Sequence, residues 1–516
     1  MKKITALLIV ILMFATMLFS CNSDSTTSST SSESKQDSTS SKSDDSSSDV
    51  SNSTNNDPKL NLPDKKWDVT LKMMVQCGDK NREQEYRYFE FWSDEATEDI
   101  VNVEVTSRSE WLKEKYGIAL KLSYTAESNG AVKSAEAALS GGEQYDLIAS
   151  AALDIGAVAS NGYFADFNKL NKQYNDGNGW MNFDAPWWDQ GVVKGLTVDN
   201  KLFFAVGDIC ITDDEATWAM FFNKDMITEY GLENPYKLVN EGKWTLDKMY
   251  EMAKKVTLAA GEKLEIDSNS NNKWGLLVQG YDGLMFMQGC QQKMVEKDSN
   301  DIPFLRVNEQ HNIDVFQKLA EILIDEKIVG FADFYGSWDS GIYGEALKTF
   351  TNGKALFTPQ AIAKVSSPEF RQSEIKYGLL PMPKYDETQT EYSSSATIYS
   401  MTVVGIPIGN ANPEATCVAL EALSWYGREH VTPAFYEKVL KAQRFADTES
   451  EEMLDLIFRN RTYDIAIAYN WSNMIQFYTF CLGSKQPNLV SYYDSQESVY
   501  KSAMDEAIAA FKVMNA

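Results

Sequence analysis

Histidine is almost missing from this sequence, which has two in 516 residues, His311 and His430. Zinc hydrolases bind their metal largely through histidine, and a Ser-His-Asp triad needs a histidine as its base. Phosphate-binding glycine loops, dinucleotide fingerprints and the G-x-S-x-G elbow of hydrolases are also missing. These absences nearly exclude histidine-dependent hydrolysis and give no support to nucleotide-dependent chemistry.

Cysteine is scarce and widely spaced. Besides Cys21, the cysteines are Cys77, Cys210, Cys290, Cys417 and Cys481. No two of them stand in a C-x-x-C pair, so neither a zinc knuckle nor a redox pair is indicated. At most two disulfides can form among five, and we expect most to be buried free thiols. The sequence leaves their disulfide state open.

Positive charge is also in deficit, because 48 Lys and Arg stand against 74 Asp and Glu, for a formal net charge of −26 and a pI of about 4.6. Such a surface repels phosphate backbones and anionic lipid headgroups, so we expect no nucleic-acid partner. Past residue 60 we find no apolar run long enough to span a membrane. The acidic surface is typical of a protein that stays soluble outside the cell.

The N-terminus has the pattern of a secretory signal. Lys2 and Lys3 precede an uncharged run from Ile4 to Phe19, which is shorter than the roughly 20 residues of a membrane-spanning helix. The stretch Leu18-Phe19-Ser20-Cys21 resembles a bacterial lipobox, in which the cysteine carries a diacylglycerol and becomes residue one after cleavage. We therefore expect residues 1–20 to be removed and Cys21 to be lipidated. We expect the Ser-, Thr- and Asp-rich residues 21–59 to form a disordered tether.

Beyond the tether, the length favours two lobes, because roughly 460 residues exceed what one hydrophobic core usually supports. The run WDVTLKMMV predicts a first strand, a helical pattern ends at KEKYGI, and IALKLSY and YDLIAS predict further strands. Strands alternating with helices in this way predict parallel α/β layers. From Pro413 onward the pattern is mostly helical.

Five segments, in order along residues 140–424, carry a family resemblance. They are GGEQYDLIAS with NGYFADFNKL, NKLFFAV with AMFFNKDMITEYGLENPYKLVNEGKWTLDKMYEMAKKV, EALKTFTNGKALF, YGLLPMPKYDE, and VVGIPIGNANPEATCVALEAL. In the second segment Thr245 has the position of a helix N-cap, with Asp247 in the first turn. Together they resemble the extracellular solute-binding proteins of ABC importers, the carbohydrate-type family that includes the maltose-binding protein.

The resemblance implies an α/β fold of the two-lobed periplasmic-binding-protein type (type II), closing on a ligand about hinge crossings. Transferred motif by motif, lobe one comprises residues 60–206 plus 402–440, and lobe two comprises 207–401 plus 441–516. The hinges then fall near residue 207, at 397–401 and at 441–445.

The resemblance also implies where ligand is bound. CGDK after the first strand is similar to a ligand-contacting loop of the family and gives Asp79 and Lys80. The other implied contacts are Asp154 after YDLI, Asp214, Glu215 and Trp218 in the hinge loop, Tyr281 and Asp282 in VQGYDG, Gln360 after NGKALF, and Trp471 in YNWSN. Where the family commonly has a stacking tryptophan, TPQAI offers only Thr358 and Gln360. For Trp338, ligand contact and a plain structural role remain equally open.

Metal and cofactor sites are not indicated. The stretch IDSNSNNKWG has oxygen side chains at alternate positions, as a calcium loop does. It lacks the glycine at the sixth position and the glutamate at the twelfth, so we expect a polar turn. Whether residues 267–275 bind calcium is not decided by the sequence.

We therefore expect a monomeric, non-enzymatic receptor, anchored outside the cell through Cys21, that binds a sugar or oligosaccharide and delivers it to ABC permease subunits. One alternative is a secreted glycoside hydrolase or lyase, which would use the same aromatics with two catalytic carboxylates. Another is a ligand sensor feeding a membrane kinase. The sequence decides neither the ligand's identity nor between transport and sensing.

Replacing Cys21 with Ala is expected to release the protein from the membrane or leave it unprocessed, because the lipid has no other attachment point. Ligand affinity of the lobes should not change. Fractionation and mass spectrometry of the N-terminus measure both effects. Normally processed, membrane-bound Cys21→Ala protein would contradict the lipid anchor.

Overall fold

The computed structural model describes residues 58–77, 91, 99–257, 264–442 and 448–514, with only the backbone for 439–442. The strands are β1 Val69–Gln76, β2 Ile118–Thr125, β3 Leu147–Ala151, β4 Trp218–Asn223, β5 Trp274–Val278, β6 Val295–Lys297, β7 Pro303–Leu305, β8 Val329–Phe331, β9 Ala355–Ala361, β10 Tyr377–Leu380, β11 Ser394–Ser395, β12 Thr402–Gly405 and β13 Arg461–Thr462. The α-helices are α1 Ile100–Tyr116, α2 Gly130–Leu139, α3 Ala152–Val158, α4 Phe167–Asn171, α5 Gln190–Gly195, α6 Thr212–Glu215, α7 Lys224–Glu229, α8 Pro235–Asn240, α9 Leu246–Val256, α10 Asp282–Gly289, α11 Gln310–Leu323, α12 Ile342–Thr351, α13 Pro368–Gln372, α14 Pro413–Tyr426, α15 Thr432–Ala442, α16 Thr448–Arg459, α17 Ile465–Tyr469, α18 Phe477–Leu482 and α19 Leu489–Val513.

The first sheet has the strand order β12-β3-β1-β2. Strand β1 is parallel to both β2 and β3, whereas β12 runs antiparallel to β3. All five residues of β3 are buried, as a continuous apolar strand inside a covered sheet requires. Helix α1 begins at an Asp99 cap and ends at Gly117, whose φ of +64° suits glycine. The strands and helices expected here are confirmed.

The second sheet has the order β10-β4-β9-β5-β8. Strand β4 is buried along its whole length and antiparallel to both neighbours, and β5 is parallel to β8 and β9. Helix α9 is capped by Thr245, whose hydroxyl accepts a hydrogen bond from the Lys248 amide. The preceding Trp244 is fully buried and donates its indole N–H to the Pro381 carbonyl. These features confirm the expected helix start.

Two antiparallel segments, 205–217 and 396–404, run side by side between the two sheets. Ala205 pairs with Val404 at one end, and Thr217 pairs with Ala396 at the other. Between these bridges the Thr402 amide donates to the Thr212 hydroxyl over 2.8 Å. The chain thus leaves the first sheet and returns to it along adjacent paths.

The C-terminal helices contact elements of both sheets. Helix α17 packs against α3 so closely that a Cβ at Gly156 would lie 1.8 Å from the Ala468 carbonyl oxygen. Only glycine permits this approach. Helix α16 packs beside β10, and α18 packs on α10. Within the described residues, no helix combines the length and apolar character needed to cross a bilayer.

The five cysteines of the described chain are free and buried. Burial raises the pKa of Cys417 and of Cys481 to about 12. The Cys77 thiol lies 3.1 Å from the Thr125 carbonyl oxygen, to which it can donate. These five residues are therefore buried thiols that form no disulfide, a point that the sequence left open.

A buried carboxyl stands in the middle of α14. Glu421 is 2% exposed, and its Oε2 accepts hydrogen bonds from the Trp188 indole at 2.9 Å and the Asn182 amide at 3.1 Å. Burial raises its pKa to about 7, although these hydrogen bonds act in the opposite direction. Glu414 lies about two turns earlier on the same helix. Burial acts to raise its pKa, but hydrogen bonds from Trp67, Lys65 and Trp180 hold the pKa below its ordinary value.

Replacing Glu421 with Gln is expected to flatten the pH dependence of stability. Because the folded pKa is raised to about 7, the carboxyl contributes stability that is complete below its unfolded pKa and lost as the pH rises through 7. Between pH 5 and pH 8, wild type should lose about 2–3 kcal/mol relative to Glu421→Gln in denaturant unfolding.

The matched control is Glu414→Gln on the same helix. Its lowered pKa gives the opposite sign, so stability contributed by Glu414 is lost as the pH falls. Parallel pH profiles for wild type and Glu421→Gln would contradict the assignment.

Candidate functional site

One edge of the second sheet gathers the loops that the sequence singled out. Strands β5, β8 and β9 end at this edge, and the antiparallel β4 begins there with Trp218 opposite Ala361. Residues 279–282 follow β5, and residues 332–341 follow β8. Loops at the carboxyl ends of parallel strands are where α/β sheets bind ligands.

Trp218, Tyr281 and Asp282, predicted as ligand contacts, lie together at this edge. The Trp218 indole donates to Asp282 Oδ1 over 3.0 Å, and the Trp218 and Tyr281 rings meet edge to face with centroids 5.7 Å apart. Asp282 Oδ2 accepts from the Gln279 amide at 2.8 Å. Asp282 is therefore placed to orient the Trp218 ring. Tyr281 is the most exposed of the three residues.

Burial raises the pKa of Asp282 well above its ordinary value. The hydrogen bonds from Gln279 and Trp218 lower it, while the nearby carboxylate of Asp333 raises it further. Asp333 in turn accepts hydrogen bonds from the Gly280 amide at 2.8 Å and from the Tyr343 hydroxyl at 3.1 Å. Both acids thus have their oxygens engaged by protein donors.

Tyr399 and Gln476 extend the cluster, and sequence reasoning missed both. The Tyr399 ring lies 5.6 Å from the Tyr281 ring, and the Gln476 side-chain amide donates to the Tyr399 hydroxyl over 2.7 Å. Both side chains are partly exposed. An aromatic inside the expected crossing 397–401 was an available signal for Tyr399. Nothing in the sequence pointed to Gln476.

The first sheet approaches the same cluster through the end of β3. The amide of Leu153 donates to the Ile398 carbonyl, next to Tyr399. Asp154, predicted as a contact, is partly exposed and accepts a hydrogen bond from buried Ser150 over 2.6 Å. Asp154 thus follows a residue that is hydrogen-bonded to segment 396–401, and Tyr399 of that segment contacts the Tyr281 ring.

Asp214, another predicted contact, instead lies in a buried ion cluster around Arg461. The Arg461 guanidinium donates to Asp214 Oδ1, Asp213 Oδ2 and Asp189 Oδ2 at 2.8, 2.8 and 3.0 Å. The Tyr463 hydroxyl also donates to Asp189, at 2.9 Å. This geometry assigns the Asp214 carboxylate an intramolecular partner, whereas the adjacent Glu215 is partly exposed.

The cluster contains more negative than positive charge. Burial raises the pKa values of Asp213 and Asp214, although the charge of Arg461 lowers them. Asp208 lies close by, where the Thr432 hydroxyl donates to it over 2.6 Å and the Arg428 guanidinium forms an ion pair at 3.8 Å. Burial raises the pKa of Asp208 to about 7. The whole group depends on Arg461 for charge compensation.

Gln360 and Trp471, also predicted as contacts, make none of the contacts described for the cluster. Gln360 is paired with Ala219, so it points to the opposite sheet face from Trp218. Trp471 is 6% exposed and stacks on Tyr469 with ring centroids 5.5 Å apart. Three of its neighbours have left-handed backbones, Asn470, Ser472 and Asn473. Asp79, Lys80 and Cys21 lie outside the described residues.

A cation already occupies the calcium-like turn. The Lys354 ammonium donates to the carbonyls of Ser268 and Ser270, which are oxygens a metal would need. In the part of the chain that the structure describes, no three His, Cys, Asp or Glu side chains are arranged to hold a metal ion.

A groove of about 430 Å³ between α9 and α11 is separate from the cluster. Several of its polar groups are paired within the protein, since Lys318 contacts Asp247 at 2.8 Å and the Tyr250 hydroxyl donates to Asp325 at 2.5 Å. We assign it no role.

Comparison with known proteins gives a family and a fold. Residues 92–431 match the family model described as bacterial extracellular solute-binding protein. No curated protein matches the sequence significantly.

Solved structures match most of the chain at low identity. A sugar transporter from Rhizobium etli in an open conformation is 14% identical, covers 86% of this chain and 99% of its own, and gives a TM-score of 0.52. The galacto-N-biose/lacto-N-biose I-binding protein of an ABC transporter from Bifidobacterium longum, in complex with lacto-N-biose, is 14% identical, with 87% and 98% coverage and a TM-score of 0.51. An ABC transporter solute-binding protein from Thermotoga lettingae, bound with α-D-tagatose, is 12% identical, with 85% and 99% coverage and a TM-score of 0.50. These likenesses confirm the expected two-lobed α/β fold.

Replacing Arg461 with Met is expected to lower the free energy of unfolding at neutral pH by about 3–5 kcal/mol, because it leaves buried carboxylates without a partner. The loss should shrink as the pH falls, since protonation removes the uncompensated charges. Urea unfolding across the pH range measures this. Arg459→Met, an exposed arginine at the end of α16, is the control. A loss independent of pH would contradict the charge-compensation role.

Proposed function

The chain belongs to the bacterial extracellular solute-binding proteins, and from that premise we propose that it captures a sugar or oligosaccharide and delivers it to the permease of an ABC importer. The observation that carries the proposal is the cluster of Trp218, Tyr281 and Tyr399, in which the Gln476 side chain donates to the Tyr399 hydroxyl.

Such a cluster suits a sugar, because a pyranose has an apolar C–H face and a ring of hydroxyls. Aromatic faces cover the former, while carboxylates and amides bind the latter directionally. Tyr281, Tyr399 and Asp154 are partly exposed and offer both kinds of contact. In our proposal Trp218 and Asp282 contribute to ligand binding chiefly by holding Tyr281 in place. Ligand contact by Glu215, Gln360 and Trp471 is proposed from the sequence resemblance alone.

Ligand capture would use closure of two lobes, 60–206 plus 402–440 and 207–401 plus 441–516. We place hinges near residue 207 and at 397–401, where the two crossing segments run side by side. The Thr397 amide donates to Ala216 on the second-sheet side, and the Ala152 amide donates to Met401 on the first-sheet side. Rotation about such a segment would bring Asp154 towards Tyr281. The third hinge, at 441–445, falls largely outside the described residues.

Anchoring through a lipidated Cys21 and ligand contact by Asp79 and Lys80 are further parts of the proposal. The support for all three is the sequence resemblance. Two acyl chains on one residue are enough for stable attachment to a membrane. A monomer anchored in this way would stay at the membrane surface, where its permease lies.

A transport role fits better than catalysis. The neighbouring acids Asp282 and Asp333 each accept two hydrogen bonds from the protein itself. A glycoside hydrolase needs one carboxyl as acid and another as base or nucleophile at the scissile bond. The engaged oxygens of this pair support a binding role, and the family is one of solute transport.

Purified protein is expected to gain thermal stability from a glycan in a panel of glucose-, galactose-, xylose- and mannose-based saccharides. At a hundred times Kd, binding adds about 2.7 kcal/mol to the folded state. Gln476→Ala should weaken binding of that glycan about tenfold by removing the support of Tyr399. Gln310→Ala, exposed on α11, is the matched control and should bind as wild type.

A panel without any shift, alongside stabilisation by a peptide or polyamine, would show that the sugar assignment is wrong. Release of smaller saccharides by the purified protein would favour the hydrolase or lyase. Mass spectrometry of ligand that copurifies with the protein identifies the natural solute directly.

A further inference from the structure

Two tight turns contact each other across the proposed boundary between the lobes. One is turn 198–201 of lobe one, whose two central residues have φ values of +53° and +61°, as a two-residue hairpin turn requires. The other is the turn of the β6–β7 hairpin, residues 298–302, in lobe two. The Asp199 amide donates to the Asp301 carbonyl over 3.0 Å, so the tips of the two turns are in direct contact.

An ion pair fills the space between these turns. Lys297 contacts Asp301 at 2.5 Å, and each side chain is only 16% exposed. The Lys297 ammonium also donates to the carbonyls of Lys194 and Thr197, at 2.8 and 3.1 Å. Asp301 accepts from the Thr197 hydroxyl at 2.9 Å and from the Asn200 amide at 2.8 Å. The pair in lobe two thus makes its hydrogen bonds to lobe one, and we call these five residues the clasp.

An apolar contact between the lobes continues from the clasp along the same stretch of chain. The Phe203 ring of lobe one stacks on Phe511 of lobe two with centroids 5.0 Å apart, and the two residues are 1% and 0% exposed. The Tyr469 hydroxyl donates to the Leu196 carbonyl over 2.8 Å. Separating the lobes here would expose aromatic rings that bury roughly 150–250 Å² each, so this contact is costly to break.

The clasp lies close in sequence to the first crossing segment. Turn 198–201 ends four residues before Ala205, which pairs with Val404 in the crossing. Four residues span at most roughly 14 Å of extended chain. Because points near a rotation axis move least, a contact at this place can persist while the ligand cluster opens and closes.

We propose that the clasp is a fixed pivot, about which the lobes rotate on ligand binding without breaking it, and which narrows the range of orientations they adopt without ligand. The inference rests on the proposed function and on the proposed division into lobes. A latch that opens in each binding cycle would be built from exposed, weakly packed contacts. The ion pair and the stacked rings are instead buried, and removing one ion would leave the other without its partner.

The first test of the pivot needs no ligand. In a Cys21→Ala background, spin labels at Glu136→Cys on α2 and Lys348→Cys on α12, both exposed positions, report the distance between the lobes. Lys297→Met should broaden the distance distribution about twofold, because the lobes lose their fixed contact. Lys327→Met, which removes an exposed lysine of lobe two, is the control and should match wild type. An unchanged distribution in Lys297→Met would overturn the pivot.

The second test uses each saccharide of the panel that stabilises the protein. On its addition, the distance between labels at Lys194→Cys and Ser299→Cys, exposed positions beside the clasp, should stay constant while the first pair changes. Lys297→Met should weaken binding of that saccharide about tenfold, since binding must then also order the lobes. Thr197→Val, which removes only the hydroxyl between the paired ions, should shift both readouts in the same direction by less.

A distance at the clasp that changes when saccharide binds would show a latch that opens, and would overturn the pivot. Tighter saccharide binding by Lys297→Met would overturn it as well. If no saccharide binds while Lys297→Met broadens the distribution measured without ligand, the sugar assignment fails and the pivot stands.

Discussion

Three buried carboxylates share one guanidinium, that of Arg461, and the approach to the binding edge depends on this arrangement. Asp213 and Asp214 belong to the segment that crosses between the sheets, while Asp189 precedes a helix beside the first sheet. Removing charge from water costs several kcal/mol per ion, so this group is stable only with its partner in place. Trp218 begins its strand four residues after Asp214, so the ion cluster fixes the chain just before the aromatic cluster.

At the edge of the second sheet where β5, β8 and β9 end, buried acids hold neighbouring side chains in place and other residues are left partly exposed. Asp282 and Asp333 use their oxygens to hold Trp218, Tyr343 and the loop at Gly280. In the proposed function the partly exposed rings and amides would face the ligand with little freedom to rearrange. Preorganisation of this kind reduces the entropy lost on binding. Buried acids that contact no ligand would then still contribute to its recognition.

Much of the fold was readable from the sequence because its signals are local. Thr245 caps its helix and Gly353, with a φ of +76°, ends another, as the pattern of neighbouring residues indicates. Trp218, Tyr281 and Asp282 were predicted from the family resemblance, and they lie together because they begin or follow strands of one sheet. The ion pair between Asp214 and Arg461 could not be predicted, since the two residues are 247 positions apart in the sequence. Gln476 meets Tyr399 across 77 positions, and no periodicity records such a contact.

The buried thiols have a consequence for how such a protein matures. Thiolate is the reactive form of cysteine, and burial keeps the pKa of Cys417 and Cys481 near 12, so oxidants find little to attack once the chain has folded. Oxidation of these thiols is therefore a hazard of the unfolded chain rather than of the folded protein. Because the five described cysteines form no disulfide, residues of similar volume can replace them.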